Sequence, residues 1–187
     1  MKLTRRTGRW ITAGIGIACA AALASTATLA ASAAPSALAR PAAPACGSGS
    51  LTVWTGAQAD GAAGHFGYQL EISNIGHHAC SLQGYPGVSV LGGNGHQVGK
   101  PASRIMGLGT PNVVIPAGGT AHVVLIVADT GIACPNSRVN GSEIKVFAPG
   151  AFHANRNSFS ASVCKHRVSL QVDAVHPGAG IPGFSGS

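Results

Sequence analysis

The sequence predicts an all-β protein, an antiparallel Ig-like β-sandwich of about eight short strands stapled by two disulfides. Three observations predict this fold. Apolar and polar residues alternate at period two, turn-forming residues recur between these stretches, and four cysteines lie within the same segment. Only 9% of the 187 residues are charged, which excludes a helical bundle, a coiled coil or a charged disordered chain, because such proteins carry charged outer surfaces.

The N-terminal residues 1–33 are predicted to be a secretory signal peptide. Four basic residues precede an uncharged apolar run that begins at Trp10, and small-residue cleavage sequences end at Ala33 and at Ala39. We expect cleavage after one of these two alanines, so that no stable membrane span remains after processing. A retained membrane span is the alternative, because the apolar run is nearly long enough to cross a bilayer.

Cys19 raises a further alternative within the leader. The stretch Gly16-Ile17-Ala18-Cys19 resembles a lipoprotein attachment box, in which the cysteine thiol is acylated. Gly16 replaces the usual leucine and the apolar run continues past Cys19, so we expect this cysteine to leave with the leader. Lipidation of Cys19 would make the chain a tethered structural protein of the cell envelope.

The basic character of the chain resides largely in this leader. Removal of the leader takes away four of the 12 Lys and Arg residues, and with them most of the formal net charge of +7. The remaining basic residues are scattered and not interleaved with aromatic residues, as they would be along a phosphate backbone. We therefore predict no nucleic-acid partner.

Four cysteines remain after removal of the leader, and an even number in an exported chain predicts two disulfides. Cys46, Cys80, Cys134 and Cys164 allow three pairings. Pairing of Cys46 with Cys80 and of Cys134 with Cys164 is favoured, because it closes loops of similar length that would each stabilise the fold by about 3–4 kcal/mol. The other two pairings stay open. Zinc binding by these thiols is not expected, because no two are close in sequence.

The composition divides the chain into segments. Residues 34–45 are rich in Ala and Pro and are predicted to form a linker, and residues 176–187 are predicted to form a flexible C-terminal tail. The β-sandwich domain is assigned to residues 46–175, a length that suits one domain with its own core. We expect this domain to be a monomer.

The strands follow from period-two alternation. In the clearest case Phe66, Tyr68, Leu70 and Ile72 alternate with polar or small residues, which indicates a strand with one buried face. The predicted strands are 51–55, 66–72, 88–91, 112–115, 121–127, 144–147, 158–163 and 168–172. Turns are predicted between them at 74–76, 85–87, 92–95, 116–119 and 140–141, where Gly, Asn and Pro cluster.

One stretch of this pattern resembles a known family. The segment from Gly64 to the Asn-x-Gly turn at Gly76 is followed by Cys80-Ser81-Leu82-Gln83-Gly84-Tyr85-Pro86-Gly87-Val88. Together with residues 116–119, 144–149 and the later cysteines, it resembles the secreted actinobacterial family catalogued as domain of unknown function 4232. The resemblance covers nearly the whole domain. It implies an exported or lipid-anchored envelope module, and it brings no catalytic residues with it.

Neither a metal site nor a catalytic site is predicted. His77 and His78 are adjacent, so they point in opposite directions on an extended segment, and no metal-ligand spacing such as H-x-H occurs. The stretch 183–187 lacks the strand and helix of a nucleophile elbow. Glu71 and Asp173 occupy strand positions that we expect to face solvent. We therefore assign no catalytic residues, no metal ligands and no cofactor.

A site assembled only in space remains an alternative to this prediction. Its members would be histidines or carboxylates that are distant in sequence, as in a glycosidase pair. The candidate histidines are His65, His77, His78, His96, His122, His153 and His166, and the candidate carboxylates are Asp60, Glu71, Asp129, Glu143 and Asp173.

Aromatic residues and polar loops are the remaining candidates for recognition, because rigid sandwiches place binding residues on strand connections. They are Trp54, Tyr85 and the loop 152–157. We expect Trp54 in the core and Tyr85 packed under its turn, with solvent exposure as the alternative for both. Asn140-Gly141-Ser142 matches a glycosylation sequon but is interpreted as a turn.

The favoured function is a secreted or cell-envelope, non-catalytic binding or interaction module whose partner is an envelope protein or a glycan. One alternative is an enzyme or metal-binding protein with a spatially assembled His/carboxylate site. The other is the tethered structural envelope protein.

Overall fold

The computed structural model describes residues 42–58, 61 and 63–180. The predicted signal peptide, Cys19, the two candidate cleavage sites and most of the predicted linker lie outside the described residues, as do residues 181–187 of the predicted tail. The last linker residues are described, and Ala45 forms a parallel bridge with Ser81.

The described residues form twelve strands, one 3-10 turn and one short helix. The 3-10 turn is Ser48–Ser50 and the helix α1 is Thr130–Ala133, capped by the carboxylate of Asp129, which accepts from the Gly131 N–H. The strands are β1 (Leu51–Gln58), β2 (His65–Asn74), β3 (Cys80–Gln83), β4 (Gly87–Leu91), β5 (Gln97–Val98), β6 (Ser103–Arg104), β7 (Asn112–Ile115), β8 (Thr120–Ala128), β9 (Arg138–Phe147), β10 (Asn155–Cys164), β11 (Leu170–Val172) and β12 (His176–Pro177).

The strands form two larger sheets and one small one. The first sheet has the order β1-β2-β8-β11-β6, and β12 also pairs with β8. The second has the order β10-β9-β4-β5, and β3 pairs with β7 in a two-stranded sheet. Within the described chain every strand pair is antiparallel except β11 with β6. The predicted all-β, antiparallel β-sandwich is confirmed.

The strand count exceeds the expected number of about eight. The additional strands are β3, β5, β6 and β12. Three of these are only two residues long, which is too short for period-two alternation to be detected in the sequence. In β3 only Cys80 and Leu82 are buried, so its apolar pattern is also short.

The predicted turn at Asn140-Gly141 is wrong, because both residues lie inside β9. Gly141 is buried, and a Cβ atom there would overlap the side chain of Val90 on β4. Glycine is therefore needed at this position for close packing within the sheet, not for chain reversal. Asn140 accepts a hydrogen bond from the hydroxyl of Ser162 at 2.7 Å, across the β9–β10 pair.

The core consists of inward-facing residues from both larger sheets. Leu70 and Ile72 of β2 and Leu125 of β8 are fully buried, as are Val90 of β4 and Ile144 of β9. Period-two alternation thus identified the buried face of the central strands. Among the described residues, no helix has the length and apolar character needed to span a membrane.

Two disulfides connect the sheets to their flanking segments. Cys46 is bonded to Cys80 and Cys134 to Cys164, with Cα–Cα distances of 4.8 and 5.9 Å. This is the favoured pairing of the four cysteines. The first joins the segment before β1 to β3, and the second joins the residue after α1 to the end of β10.

Candidate functional site

The outer face of the first sheet carries a row of four aromatic or ionisable side chains. Trp54 on β1 pairs with Glu71 on β2, Glu71 pairs with His122 on β8, and His122 pairs with His176 on β12. Directly paired residues in antiparallel strands project from the same face. We call these four residues the outer row.

Trp54 is half-exposed, with 46% of its surface accessible. The expectation that Trp54 lies in the core is therefore wrong. Its neighbours Val53 and Leu51 are buried, so alternation along β1 places Trp54 outside. The indole Nε1 donates to the hydroxyl of Ser73 at 3.2 Å. The indole therefore lies against β2 and leaves part of its ring accessible.

Glu71 was expected to face solvent, yet only 3% of it is exposed. Its Oε1 accepts the backbone N–H of Gly180 at 2.9 Å, whereas its Oε2 is buried without a hydrogen-bond partner in the described structure. Burial raises the pKa of this carboxyl above its ordinary value, although the Gly180 N–H and the nearby His122 act in the opposite direction.

A C-terminal segment explains why Glu71 is buried. Residues Gly178–Gly180, here called the C-terminal strap, lie over the outer face of β8 and β2. The carbonyl oxygen of Gly178 lies 2.9 Å from Nδ1 of His122, and Gly180 bonds to Glu71. Residues 176–187 were predicted to form a flexible tail. The structure corrects this for residues 176–180, which pair with or bond to the first sheet.

Asp173 is the second buried carboxylate that was expected to be exposed. It lies between β11 and β12, where the chain bulges along β8, and is 5% exposed. Its Oδ1 accepts the backbone N–H of Val124 at 2.7 Å, and its Oδ2 lies 2.9 Å from Nε2 of His176. Burial raises the pKa of Asp173, and the Val124 and His176 contacts oppose that shift.

The outer row and Asp173 bring together histidines and carboxylates from three separate parts of the sequence. The rings of His122 and His176 are stacked with centroids 5.5 Å apart. Within the part of the chain that the structure describes, no group of three or more His, Cys, Asp or Glu side chains is arranged to hold a metal ion. Sequence reasoning missed His176 because it assigned this residue to the tail. The arrangement can exchange protons and bind polar backbone groups.

Other candidate surface residues lie apart from the outer row. Tyr85 is half-buried, and its ring lies 5.5 Å from the guanidinium carbon of Arg104. Phe152 is 91% exposed in the β9–β10 loop. The structure also exposes Met106 and Leu108, between β6 and β7, which the sequence did not single out. Met106 and Leu108 alternate with Gly107 and Gly109, and this pattern gave no signal for exposure.

We expect Glu71→Gln to raise the free energy of unfolding at pH 7 by about 1 kcal/mol, because it removes a buried charge with an unpaired oxygen. The folded-state pKa of Glu71 lies above its unfolded value. Its contribution to stability is therefore fully present below about pH 4 and is lost as the pH rises through the folded-state pKa. Burial also raises the pKa of Asp173, so its contribution to stability varies with pH in the same direction. Asp173 is unchanged in the variant, so this contribution is common to both proteins.

Urea unfolding between pH 3 and about pH 8 measures this effect. The difference between variant and wild type should grow with pH across this range. Glu143→Gln on β9 is the matched control, and we expect it to change the stability little. A difference between Glu71→Gln and wild type that does not vary with pH would contradict the prediction.

Comparison with known proteins agrees with the resemblance seen in the sequence. A family model described as Domain of unknown function (DUF4232) matches residues 46–176, more than half of the chain. Searches of curated proteins and of solved structures gave no match. The matched segment contains the whole outer row and ends just before the C-terminal strap. The chain therefore belongs to the family described as domain of unknown function DUF4232.

Proposed function

We propose that this protein is a non-catalytic binding module that acts outside the cytoplasm, secreted or in the cell envelope, and that its outer row contacts the partner. One observation carries the proposal. Glu71, whose buried Oε2 has no hydrogen-bond partner among the described residues, is the cross-strand neighbour of the half-exposed Trp54 on the outer face of the first sheet.

The cost of this arrangement argues for a role beyond folding. A buried carboxylate with an unpaired oxygen destabilises the folded state, and a polar residue on a solvated outer face would fold equally well. Groups that break such rules without a gain in stability concentrate at functional sites. The outer row is therefore the favoured recognition surface.

The proposed location rests on the disulfides. Disulfides persist in oxidising compartments and are rare in the cytosol of most organisms. Both bonds in the structure join segments that are 30 or more residues apart, so they constrain the whole domain. The leader also supports export, because basic residues followed by an apolar run are typical of a secretory signal peptide.

The proposed partner is an envelope protein or a glycan. An indole ring stacks on the apolar face of a sugar or packs against a side chain, and a carboxylate accepts hydrogen bonds from hydroxyl, amide or amino groups. The scattered positive charges give no continuous track for a nucleic acid. We propose a monomer, since binding on this face needs one copy.

Fluorescence of Trp54 tests this function. The chain has two tryptophans, so in the exported chain without its leader Trp54 is the single one. Titration with purified envelope polysaccharide fractions and with purified envelope proteins should give a saturable change in its emission. By calorimetry, Trp54→Ala should weaken the same binding about tenfold or more, as loss of an aromatic anchor does.

Phe152→Ala is the matched control, because Phe152 is an exposed aromatic residue in the loop that joins β9 and β10 of the other sheet. We expect it to leave the affinity unchanged. Binding that survives Trp54→Ala but is lost in Phe152→Ala would move the site to the β9–β10 loop. The absence of saturable binding to every fraction would contradict the proposed function.

An acid–base enzyme is the second candidate, favoured by the contact between Asp173 and His176. A carboxylate that orients a histidine is one half of a general-base arrangement. This candidate predicts turnover of fluorogenic ester or glycoside substrates that is lost in His176→Gln. The binding proposal predicts no such turnover.

A further inference from the structure

A corner of the domain forms where the chain after α1 meets the chain after β10. The second disulfide joins the residue after α1 to the last residue of β10. The Lys165 N–H donates to the Ser137 carbonyl at 2.8 Å, and Nη1 of Arg167 lies 3.4 Å from the Ala133 carbonyl. One covalent bond and two polar contacts therefore hold the two segments against each other.

This corner gathers basic residues that are separate in the sequence. Arg138 pairs with the last residue of β10, so it lies beside the segment that carries Lys165 and Arg167. All three residues are exposed, and within the described chain none of them forms an ion pair with a carboxylate. Asp129, which caps α1, brings one carboxylate to the corner, whereas Glu143 lies about 16 Å along β9 from Arg138. The positive charges thus outnumber the negative one.

Two exposed aliphatic side chains lie at the same corner. Ile132 on α1 is 73% exposed and Val168 is 50% exposed. Ile132 precedes the residue whose carbonyl contacts Arg167, and Val168 follows Arg167 directly. Single exposed apolar residues are common, but two beside three unpaired cations form a surface that is both apolar and cationic. We call this surface the basic corner, which consists of Ile132, Arg138, Lys165, Arg167 and Val168.

We propose that the basic corner docks this protein onto the surface of an anionic lipid bilayer. Lipid phosphates pair with the three cations, and the boundary of the acyl chains covers the two aliphatic side chains. A soluble polyanion fits less well, because it leaves Ile132 and Val168 in water. The disulfide holds the corner in shape before contact, so docking orders few groups. This peripheral contact goes beyond the proposed function and uses none of the outer row.

Co-sedimentation of the exported chain, without its leader, with lipid vesicles tests the proposal. Vesicles of equal parts phosphatidylglycerol and phosphatidylcholine are anionic, whereas vesicles of phosphatidylcholine alone carry no net charge. We expect the protein to bind the anionic vesicles at least about tenfold more tightly at low salt. The affinity should fall as sodium chloride is added, because salt screens exposed charges.

Two double variants locate the charge dependence. Arg138→Gln, Lys165→Gln should bind the anionic vesicles about thirtyfold more weakly, at roughly a factor of five for each charge. Lys145→Gln, Arg156→Gln is the matched control, because it removes the same charge from a cross-strand pair on β9 and β10. Arg156 lies about 26 Å along β10 from Cys164, well beyond the screening length. We expect the control to change the affinity by less than about twofold.

A second pair of variants tests the apolar contact. Ile132→Ser should weaken binding to the anionic vesicles about tenfold, because it removes an aliphatic side chain from the bilayer boundary. Met106→Ser is the matched control, since Met106 is as exposed, at 74%, in the loop between β6 and β7. We expect this control to bind as wild type does. Circular dichroism spectra like that of wild type establish that each variant is folded.

Equal binding to the two kinds of vesicle, or equal losses in the two double variants, would overturn the proposal. Binding of Ile132→Ser as tight as that of wild type would also overturn it, and binding of polyphosphate by that variant would then indicate a soluble polyanion as the partner. None of these variants changes the outer row. Trp54-dependent binding of an envelope fraction therefore tests the proposed function separately from this inference.

Discussion

The double variant Cys134→Ala, Cys164→Ala is expected to unfold with a free energy about 3–4 kcal/mol below that of wild type. The bond closes a loop with a sequence separation of 30, and its removal enlarges the conformational freedom of the unfolded chain. Domains of this size are stable by about 5–15 kcal/mol, so the loss is a large share of the total. Urea unfolding followed by circular dichroism measures it.

Local contacts around this disulfide sharpen the expectation. The Lys165 N–H donates to the Ser137 carbonyl at 2.8 Å, so the backbone beside the bond remains paired after the sulfurs are removed. Both cysteines are buried, and alanine leaves only a small gap. Double replacement of Cys46 and Cys80, with a similar separation of 34, is the comparison and should cost a similar amount. A loss below about 1 kcal/mol for Cys134→Ala, Cys164→Ala would contradict the loop-entropy account.

The sequence was sufficient for the strands whose two faces differ. Leu70 and Ile72 on β2, and Val123 and Leu125 on β8, alternate with residues of the opposite face and are all buried. The alternation reports directly on the core, because successive side chains in a strand point to opposite sides. The same rule contained the answer for Trp54, which is out of phase with the buried Val53.

Burial of Glu71 could not be predicted in this way. Alternation tells which face of the sheet a residue occupies, but not whether another segment covers that face. The strap that covers Glu71 has the composition of a loose segment, Gly-Ala-Gly after a proline. Its place on the sheet is set by two bonds to side chains on β2 and β8, more than 50 residues earlier in the chain. Such long-range contacts leave no local signal.

Asn74→Asp is expected to lower the free energy of unfolding by about 3–5 kcal/mol at pH 7. Asn74 is 1% exposed at the end of β2. Its Nδ2 donates to the carbonyls of His78, Ile115 and Pro116 at 2.8, 3.1 and 3.2 Å, and its Oδ1 accepts the Gly76 N–H at 2.9 Å. Aspartate keeps the acceptor but turns a second oxygen toward three carbonyls, so it loses donors and adds a buried charge.

The pH dependence of this loss separates the charge from the missing donors. Burial among carbonyls raises the folded-state pKa of an aspartate at position 74, so the variant is most stable at low pH, where the acid is protonated in both states and can donate. The gap between wild type and Asn74→Asp should therefore widen as the pH rises from about 4 to 7. Asn112→Asp is the matched control, because Asn112 is exposed on β7, and it should stay within about 0.5 kcal/mol of wild type. A pH-independent gap would assign the loss to the missing amide donors and would contradict the expected cost of a buried charge at position 74.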